Sequence, residues 1–205
     1  MTLHAVGSYG SLPGPTAVFL HGWGSDENDL AGLARYLPRG LAWASVRAPL
    51  RHPSFGYAWY QLDTEDSFGN LDRIGAATES LWEFLDDTIP APTPLIPIGF
   101  SQGGLMASQL LRTRPERVHA AAILSGYVAP GALPADAALA VAQRPVFWGR
   151  GDADPVIPDA AIAVTEAFLP EHADLEVHIY PGLPHSVRER ELADLTHFLE
   201  RALAR

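Results

Sequence analysis

Short apolar runs alternate with amphipathic stretches along the chain. The run at 16–20 (TAVFL) is apolar and β-branched, and the run at 118–124 is almost continuously apolar, as in strands that are buried on both faces of a sheet. Between such runs, apolar residues recur at steps of three and four, which is typical of helices with one buried face. The clearest helix is 71–89, whose inward face carries Leu71, Ile74, Thr78, Leu81, Leu85 and Ile89.

The pattern predicts an α/β fold with a mostly parallel central sheet and helices on both faces, because strands that alternate with helices form βαβ units. The predicted strands are 16–20, 41–46, 95–100, 118–124, 145–148 and 175–180, and the predicted helices are 28–37, 71–89, 101–112, 159–169 and 188–204. Asp26 or Asn28 would cap the first helix. We expect one domain, residues 1–205, with its chemistry in the loops beyond the carboxyl ends of the strands.

Composition excludes several kinds of chemistry. The net charge is −10, so phosphate backbones are repelled and nucleic-acid binding is not expected. The 14 basic residues are all arginine and there is no cysteine, which excludes Schiff-base lysines, thiolate catalysis and cysteine-bound zinc. We predict no metal and no cofactor. With no long apolar run and no Sec-type signal peptide, we also predict no membrane span and a cytoplasmic protein.

The segment Gly99-Phe100-Ser101-Gln102-Gly103-Gly104 combines a serine with small flanking residues between a predicted strand and a predicted helix. In this context G-x-S-x-G forms a sharp turn that lifts the serine hydroxyl above the sheet edge. Gly99 and Gly103 provide the room where strand and helix approach each other. An N-capping serine on a glycine-rich turn would not need both glycines, so we predict that Ser101 is a nucleophile.

A serine hydroxyl needs a general base, and the base needs a carboxylate that orients it. Five histidines follow Ser101, and of these His185 alone lies in a loop between the last strand and the last helix. We therefore predict that His185 is the base. Asp152 and Asp154 both follow the strand at 145–148. One of them would stabilise its own turn, and spacing does not decide which of them is the catalytic acid.

The loop His21-Gly22-Trp23-Gly24 follows the strand at 16–20 and is suited to an oxyanion hole. Backbone N–H groups of such a loop, together with the N–H after the nucleophile, bind the oxygen of a tetrahedral intermediate. The predicted donors are the N–H groups of Trp23 and Gln102. We interpret His21 as a structural residue that bonds the loop.

Five segments together resemble the bacterial phospholipase/carboxylesterase family of α/β hydrolases, which includes the acyl-protein thioesterases. They are LHGWG at 20–24, RAP at 47–49, GFSQGG at 99–104, GDADPVIP at 151–158 and GLPH at 182–185, in the order of the family. The resemblance implies an α/β-hydrolase fold, a triad of Ser101, Asp154 and His185, and main-chain oxyanion donors at Trp23 and Gln102. It thereby selects Asp154 over Asp152.

The resemblance also implies the activity, which is hydrolysis of carboxylic esters through an acyl-enzyme, with some members acting on thioesters or lysophospholipids. Two alternatives stay open: an acyltransferase or perhydrolase that uses the same triad, and a non-catalytic binding protein with this fold. Trp23 departs from the small or aliphatic residues common in similar enzymes and would narrow the pocket. The similar dienelactone hydrolases use a cysteine nucleophile, which this chain lacks.

Two connections would shape the substrate site. Residues 51–70 are rich in aromatics and hold an acidic run at 63–66 that argues against strongly anionic substrates. Trp23, Phe55, Tyr57 and Trp59 are candidates for an apolar substrate wall, with plain covering of the core as an equal alternative. The connection at 127–144 is too short for a large lid, so we expect an open cleft for small to medium acyl esters or thioesters. Oligomeric state is left open between monomer and homodimer.

Overall fold

The computed structural model describes residues 3–10, 13–62, 70–89 and 91–205, and the acidic run at 63–66 lies outside them. The strands are β1 (His4–Gly7), β2 (Thr16–Leu20), β3 (Ala42–Arg47), β4 (Leu50–Arg51), β5 (Tyr57–Ala58), β6 (Leu95–Phe100), β7 (Ala121–Leu124), β8 (Arg144–Gly151) and β9 (Ala173–Tyr180). The α-helices are α1 (Leu71–Thr88), α2 (Gln102–Thr113), α3 (Asp136–Ala142), α4 (Asp159–His172) and α5 (Glu189–Leu203), with 3₁₀ helices at Leu30–Tyr36 and Pro115–Arg117.

Seven strands form the central sheet in the order β1-β3-β2-β6-β7-β8-β9. All pairs are parallel except β1 with β3, which confirms the predicted mostly parallel sheet. The strands β2 and β6, which precede the glycine-rich loops, are direct neighbours and pair in register from Thr16 with Leu95 to Leu20 with Gly99. Their carboxyl ends therefore bring the two loops together at one edge of the sheet.

Apolar side chains cover both faces of the sheet, as the continuous apolar runs predict. Alternate residues of β2 point to opposite sides. Val18 and Leu20 belong to a core shared with α1, α2, α3 and α4. Ala17 and Phe19 belong to a second core shared with α5 and the 3₁₀ helix at Leu30–Tyr36. Helices on both faces are thus confirmed.

The predicted helix at 28–37 is wrong in type, because the segment forms a 3₁₀ helix from Leu30 to Tyr36. Gly32 lies in its middle and weakens an α-helix there. The predicted caps are also wrong, because the N-cap position is Asp29, whose side chain makes no capping hydrogen bond. Asp26 instead accepts a hydrogen bond from the backbone N–H of Asn28 at 2.8 Å, which holds the turn before the 3₁₀ helix. The predicted strand at 118–124 is shorter than expected, beginning at Ala121, with Val118 in an isolated bridge to Leu95.

The connection at 127–144 contains only α3, a helix of seven residues, so no lid domain is inserted at this point. A second small feature is the hairpin of β4 and β5, whose strands are two residues each and pair outside the main sheet. Among the described residues, no helix is long and apolar enough to cross a membrane.

Candidate active site

Ser101 lies on a tight turn between β6 and α2. Its backbone has φ +56° and ψ −118°, a conformation that non-glycine residues rarely adopt and that costs on the order of 1–3 kcal/mol. The flanking glycines are required by close contacts of the backbone. A Cβ atom on Gly99 would lie 1.9 Å from the Gly103 carbonyl oxygen, and one on Gly103 would lie 1.9 Å from the Leu20 carbonyl oxygen. Only glycine fits at either position.

Three side chains form one hydrogen-bonded row at the edge of the sheet. The Ser101 hydroxyl Oγ lies 2.8 Å from Nε2 of His185, and Nδ1 of His185 lies 2.7 Å from Oδ2 of Asp154. Because an ionised carboxylate accepts hydrogen bonds only, Nδ1 of His185 carries the proton and Nε2 is free to accept the serine proton. The Phe100 ring lies 4.9 Å from the His185 ring between centroids and limits its rotation.

The loop after β8, called the acid loop here because it carries both candidate acids, gives its two aspartates different contacts. The other oxygen of Asp154, Oδ1, accepts hydrogen bonds from the backbone N–H groups of Val156 at 2.8 Å and Ile157 at 3.3 Å, which fixes the carboxylate towards His185. Asp152 does not reach the histidine. Its Oδ1 accepts a hydrogen bond from the Gly182 N–H at 2.6 Å and so ties the acid loop to the turn that precedes His185.

The glycine-rich loop after β2 lies directly beside Ser101. A Cβ atom on Gly22 would be 3.1 Å from the Phe100 ring and 3.5 Å from Cβ of Ser101. The N–H of Gln102 is at the first position of α2, where helix N–H groups have no partner within the helix. Within the described residues, neither this N–H nor that of Trp23 donates to a protein acceptor. Both candidate donors are therefore free to bind an anionic oxygen.

His21 is fully buried and supports this loop through hydrogen bonds of its ring. Its Nε2 accepts a hydrogen bond from the Ala48 N–H at 3.0 Å, so its Nδ1 carries the proton and donates to the Gly22 carbonyl at 2.7 Å. Burial lowers the pKa of His21 below its ordinary value, which keeps the ring neutral in this tautomer. These bonds agree with the structural role that the sequence indicates for His21.

The side chain of Gln102 links the turn at Ser101 to the segment after β5 through two further hydrogen bonds. Its Oε1 accepts a hydrogen bond from the Trp59 N–H at 2.9 Å, and its Nε2 donates to the Tyr60 carbonyl at 2.8 Å. The indole N–H of Trp59 in turn donates to the His21 carbonyl at 2.8 Å. The two loops that carry the candidate oxyanion donors are thus joined through buried hydrogen bonds.

A pocket of about 220 Å³ opens over Ser101 and His185. The other residues that line it are mostly apolar and come from five separate segments; they are Gly22, Trp23, Tyr60, Leu62, Phe100, Gln102, Tyr127, Val156 and Ile157. The hydroxyls of Tyr60 and Tyr127 lie 3.4 Å apart, and burial raises the pKa of both, so they stay protonated. The pocket therefore offers a neutral, largely apolar surface next to Ser101.

Of the four aromatic residues predicted to bind substrate, the structure brings only Trp23 into the lining of this pocket. Phe55 is 71% exposed at the tip of the hairpin, and its ring packs on Gly24 and His52. Tyr57 packs against Arg47, and Trp59 is buried with its indole N–H bonded to the backbone.

The sequence does not single out Leu62 and Tyr127 as lining residues, and Tyr60 belongs to the aromatic connection without being one of the four candidates. Tyr60 and Leu62 lie in the same aromatic connection as the predicted wall, so the segment was recognised but not the residues that face the serine. Tyr127 follows β7 by three residues, and its place after a parallel strand is the signal that identifies it. No cluster of three or more histidine and acidic side chains suited to a metal ion occurs in the part of the chain that the structure describes.

A mostly parallel sheet, a serine on a strained turn between a strand and a helix, and a histidine in the loop after the last strand together define an α/β hydrolase. The sequence profile of the phospholipase/carboxylesterase family matches residues 2–203. The chain therefore belongs to this family, as the five sequence segments predicted, and it is a hydrolase that acts on ester bonds.

Similar proteins cover almost the whole chain. Acyl-protein thioesterase 1 of Saccharomyces cerevisiae is 27% identical, with 92% of this chain and 93% of the yeast protein covered. Acyl-protein thioesterase 1 of Kluyveromyces lactis is 30% identical, with 89% and 90% covered. The crystal structure of the Bacillus cereus carboxylesterase superimposes with a TM-score of 0.84 at 22% identity, covering 98% of this chain and 94% of that one, which is evidence of a shared fold.

Proposed function

We propose that this protein is a serine carboxylesterase in which Ser101, His185 and Asp154 form the catalytic triad. The observation that carries the proposal is the continuous row of two hydrogen bonds, 2.8 Å and 2.7 Å long, from the serine hydroxyl through the imidazole to the carboxylate. The row ends on a serine whose strained backbone holds its hydroxyl in an apolar pocket. That arrangement is the one that nucleophilic acyl transfer requires.

In the first half of the reaction, Oγ of Ser101 attacks the carbonyl carbon of the ester while Nε2 of His185 takes the hydroxyl proton. The carbonyl oxygen becomes an oxyanion, which accepts hydrogen bonds from the N–H groups of Trp23 and Gln102. The bond to the leaving alcohol or thiol then breaks, and the leaving group takes the proton from His185. Asp154 stabilises the imidazolium while it exists.

In the second half, a water molecule gives its proton to His185 and attacks the acyl carbon of the Ser101 ester. The same two N–H groups bind the second oxyanion. Collapse of this intermediate breaks the bond to Oγ, which recovers the proton from His185, and the carboxylic acid leaves. The serine and histidine return to their starting protonation states, so the cycle consumes one ester and one water.

We propose esters with small to medium acyl groups as the substrate class, with thioesters or lysophospholipids as alternatives within the same chemistry. The pocket of about 220 Å³ is smaller than the roughly 300–1,000 Å³ of typical ligand sites. A second cavity of about 480 Å³ shares Trp23 and Leu62 with it and extends the apolar surface. The names of the two yeast relatives include thioester hydrolysis. A cytoplasmic location and a monomeric or dimeric state stay predictions.

The test is hydrolysis of p-nitrophenyl esters of increasing acyl length, with wild type, Ser101→Ala and the control Ser80→Ala, which changes an exposed serine on α1. We expect Ser101→Ala to lose on the order of 10⁶-fold in kcat and all labelling by a fluorophosphonate probe, and Ser80→Ala to match wild type. A wild-type protein that neither hydrolyses the esters nor reacts with the probe refutes the proposal. Adding methanol or hydrogen peroxide as a competing acceptor separates hydrolysis from acyl transfer.

A further inference from the structure

The loop that carries Trp23 is held from outside by the hairpin of β4 and β5. The N–H of Gly24, the next residue after Trp23, donates to the Tyr57 carbonyl at 2.8 Å, and the Tyr57 N–H donates to the Ser25 carbonyl at 2.7 Å. The contact is close, because a Cβ atom on Gly56 would lie 2.2 Å from the Gly24 carbonyl oxygen. The position of the Tyr57 backbone therefore determines the position of the loop immediately after the Trp23 N–H.

The Tyr57 ring is held in its turn by two arginines. The guanidinium carbon of Arg47 lies 4.9 Å from the ring centroid, and that of Arg51 lies 5.7 Å from it. Nη1 of Arg47 also donates to the Tyr57 hydroxyl at 3.3 Å. Because Arg47 both stacks on the Tyr57 ring and donates to its hydroxyl, it restricts the distance of the ring from the guanidinium and the rotation of the ring.

Arg47 also binds Glu27, which belongs to the same loop as Trp23, so the arginine connects the Tyr57 ring to that loop. The pair is bidentate: Nε donates to Oε2 at 2.7 Å and Nη2 donates to Oε1 at 2.6 Å. The Glu27 side chain is 7% exposed and the Arg47 side chain is 30% exposed, so solvent reaches the pair mainly from the arginine side, and the bidentate geometry holds the two groups together. Arg47 lowers the pKa of Glu27, and the carboxylate stays charged at neutral pH.

Neither Arg47 nor Glu27 lines the pocket over Ser101 or the cavity beside it. An effect of these residues on the reaction must therefore pass through the loop. The oxyanion donors act on charge that develops in the transition state, and a displacement of a few tenths of an ångström weakens that contact more than it weakens binding of the substrate.

We propose that Arg47 is a positioning residue for the oxyanion hole, acting through Glu27 and Tyr57 to hold the Trp23 N–H towards Ser101. The inference rests on the proposed function, because it assigns a task in ester hydrolysis. It extends that function to an ion pair that does not touch the substrate.

The test compares wild type with Arg47→Met and Glu27→Gln in ester hydrolysis and in inhibition by an alkyl trifluoromethyl ketone. The ketone adds to the serine, and its oxyanion occupies the hole. Since loss of a whole donor costs about 10²–10³-fold, we expect a displaced donor to lower kcat about tenfold in Arg47→Met with KM within about twofold. The inhibition constant of the ketone should rise by the same factor as kcat falls, and Glu27→Gln should show a smaller change of both.

Arg114→Met is the matched control, because it removes an ion pair to Asp86 on exposed surface away from the loop. It should leave kcat and the inhibition constant unchanged. Wild-type values in both Arg47→Met and Glu27→Gln would overturn the inference, as would equal losses in Arg114→Met. If Arg47→Met fails to fold, Glu27→Gln alone decides. Failure of the proposed function has a different signature, since wild type itself would then neither hydrolyse esters nor bind the ketone.

Discussion

Replacing the carboxyl of Glu191 by an amide should stabilise this protein at neutral and alkaline pH. Glu191 lies in the first turn of α5 and has no solvent-exposed surface. Within the described residues, neither of its side-chain oxygens has a hydrogen bond of good geometry, although the backbone N–H of Arg188 lies close enough to favour the charged form. The carboxyl packs against the β8 backbone, where a Cβ atom on Gly149 would lie 2.3 Å from Oε1. A charge at this place is desolvated, and Arg188 compensates for only part of the cost.

Burial raises the pKa of Glu191 from its ordinary 4.5 to about 7, and the nearby charge of Asp194 adds to the effect while Arg188 opposes it. Below pH 4.5 the group is protonated in the folded and the unfolded chain, so it costs no stability. Between pH 4.5 and 7 only the unfolded chain releases the proton, and stability falls as the pH rises. At 1.36 kcal/mol for each pH unit, the loss is complete above pH 7 and amounts to about 3 kcal/mol.

Glutamine is neutral at every pH, so Glu191→Gln should escape this loss. We expect the difference in unfolding free energy between variant and wild type to increase by about 3 kcal/mol from pH 4 to pH 8. That is a large part of the 5–15 kcal/mol by which domains are usually stable. Urea unfolding followed by tryptophan fluorescence at pH 4, 6 and 8 measures it.

Glu189→Gln is the control, since Glu189 is exposed in the same turn of α5 and should show no comparable pH dependence. The reasoning is refuted if the unfolding free energies of wild type and Glu191→Gln run parallel from pH 4 to pH 8. Parallel curves would mean that the carboxyl ionises normally in the folded protein.

Three further predictions concern the site. Asp154→Asn should lower kcat by about 10⁴-fold, whereas Asp152→Asn, whose carboxylate contacts only a backbone N–H, should lower it less than tenfold; the reverse order would reassign the acid. Gly103→Ala, which puts a methyl group 1.9 Å from a β2 carbonyl, should cost about 1–3 kcal/mol or more in thermal unfolding, and an unchanged melting temperature would contradict the contact. Trp23→Ala removes a 46% exposed ring that lines both cavities, so activity should shift towards bulkier acyl groups; an unchanged chain-length profile would exclude this ring as a boundary.

The parts of the fold that sequence reasoning found are those whose burial is uniform. The strands β2 and β6 were predicted with the observed bounds because each is apolar throughout and covered on both faces. The strand β1 was missed because it is a four-residue edge strand with a mixed burial pattern. The hairpin of β4 and β5 was missed for a related reason, because strands of two residues are too short to show an alternating pattern.

The candidate site was predictable where chain order determines position. The loops that follow parallel strands lie at one edge of the sheet, so chain order predicts Ser101 after β6 and His185 after β9 as site residues. For the acid, chain order leaves Asp152 and Asp154 in the loop after β8, and only the family resemblance favours Asp154. The sequence contains no comparable rule for the pair of Arg47 and Glu27, because a βα connection separates the two residues and only the folded loop brings them together.

The aromatic connection after β3 shows the same limit within a single segment. The sequence left open whether its rings form a substrate wall or cover the core, and the structure divides them between the two. Tyr60 lines the pocket, whereas Trp59 is turned inwards because its buried indole N–H requires an acceptor and finds the His21 carbonyl. Gln102 holds the two residues in these opposite orientations by bonding the N–H of one and the carbonyl of the other. Gln102 thus helps to shape the pocket wall through its side chain, while its main-chain N–H has no protein acceptor among the described residues and stays available for the proposed oxyanion contact.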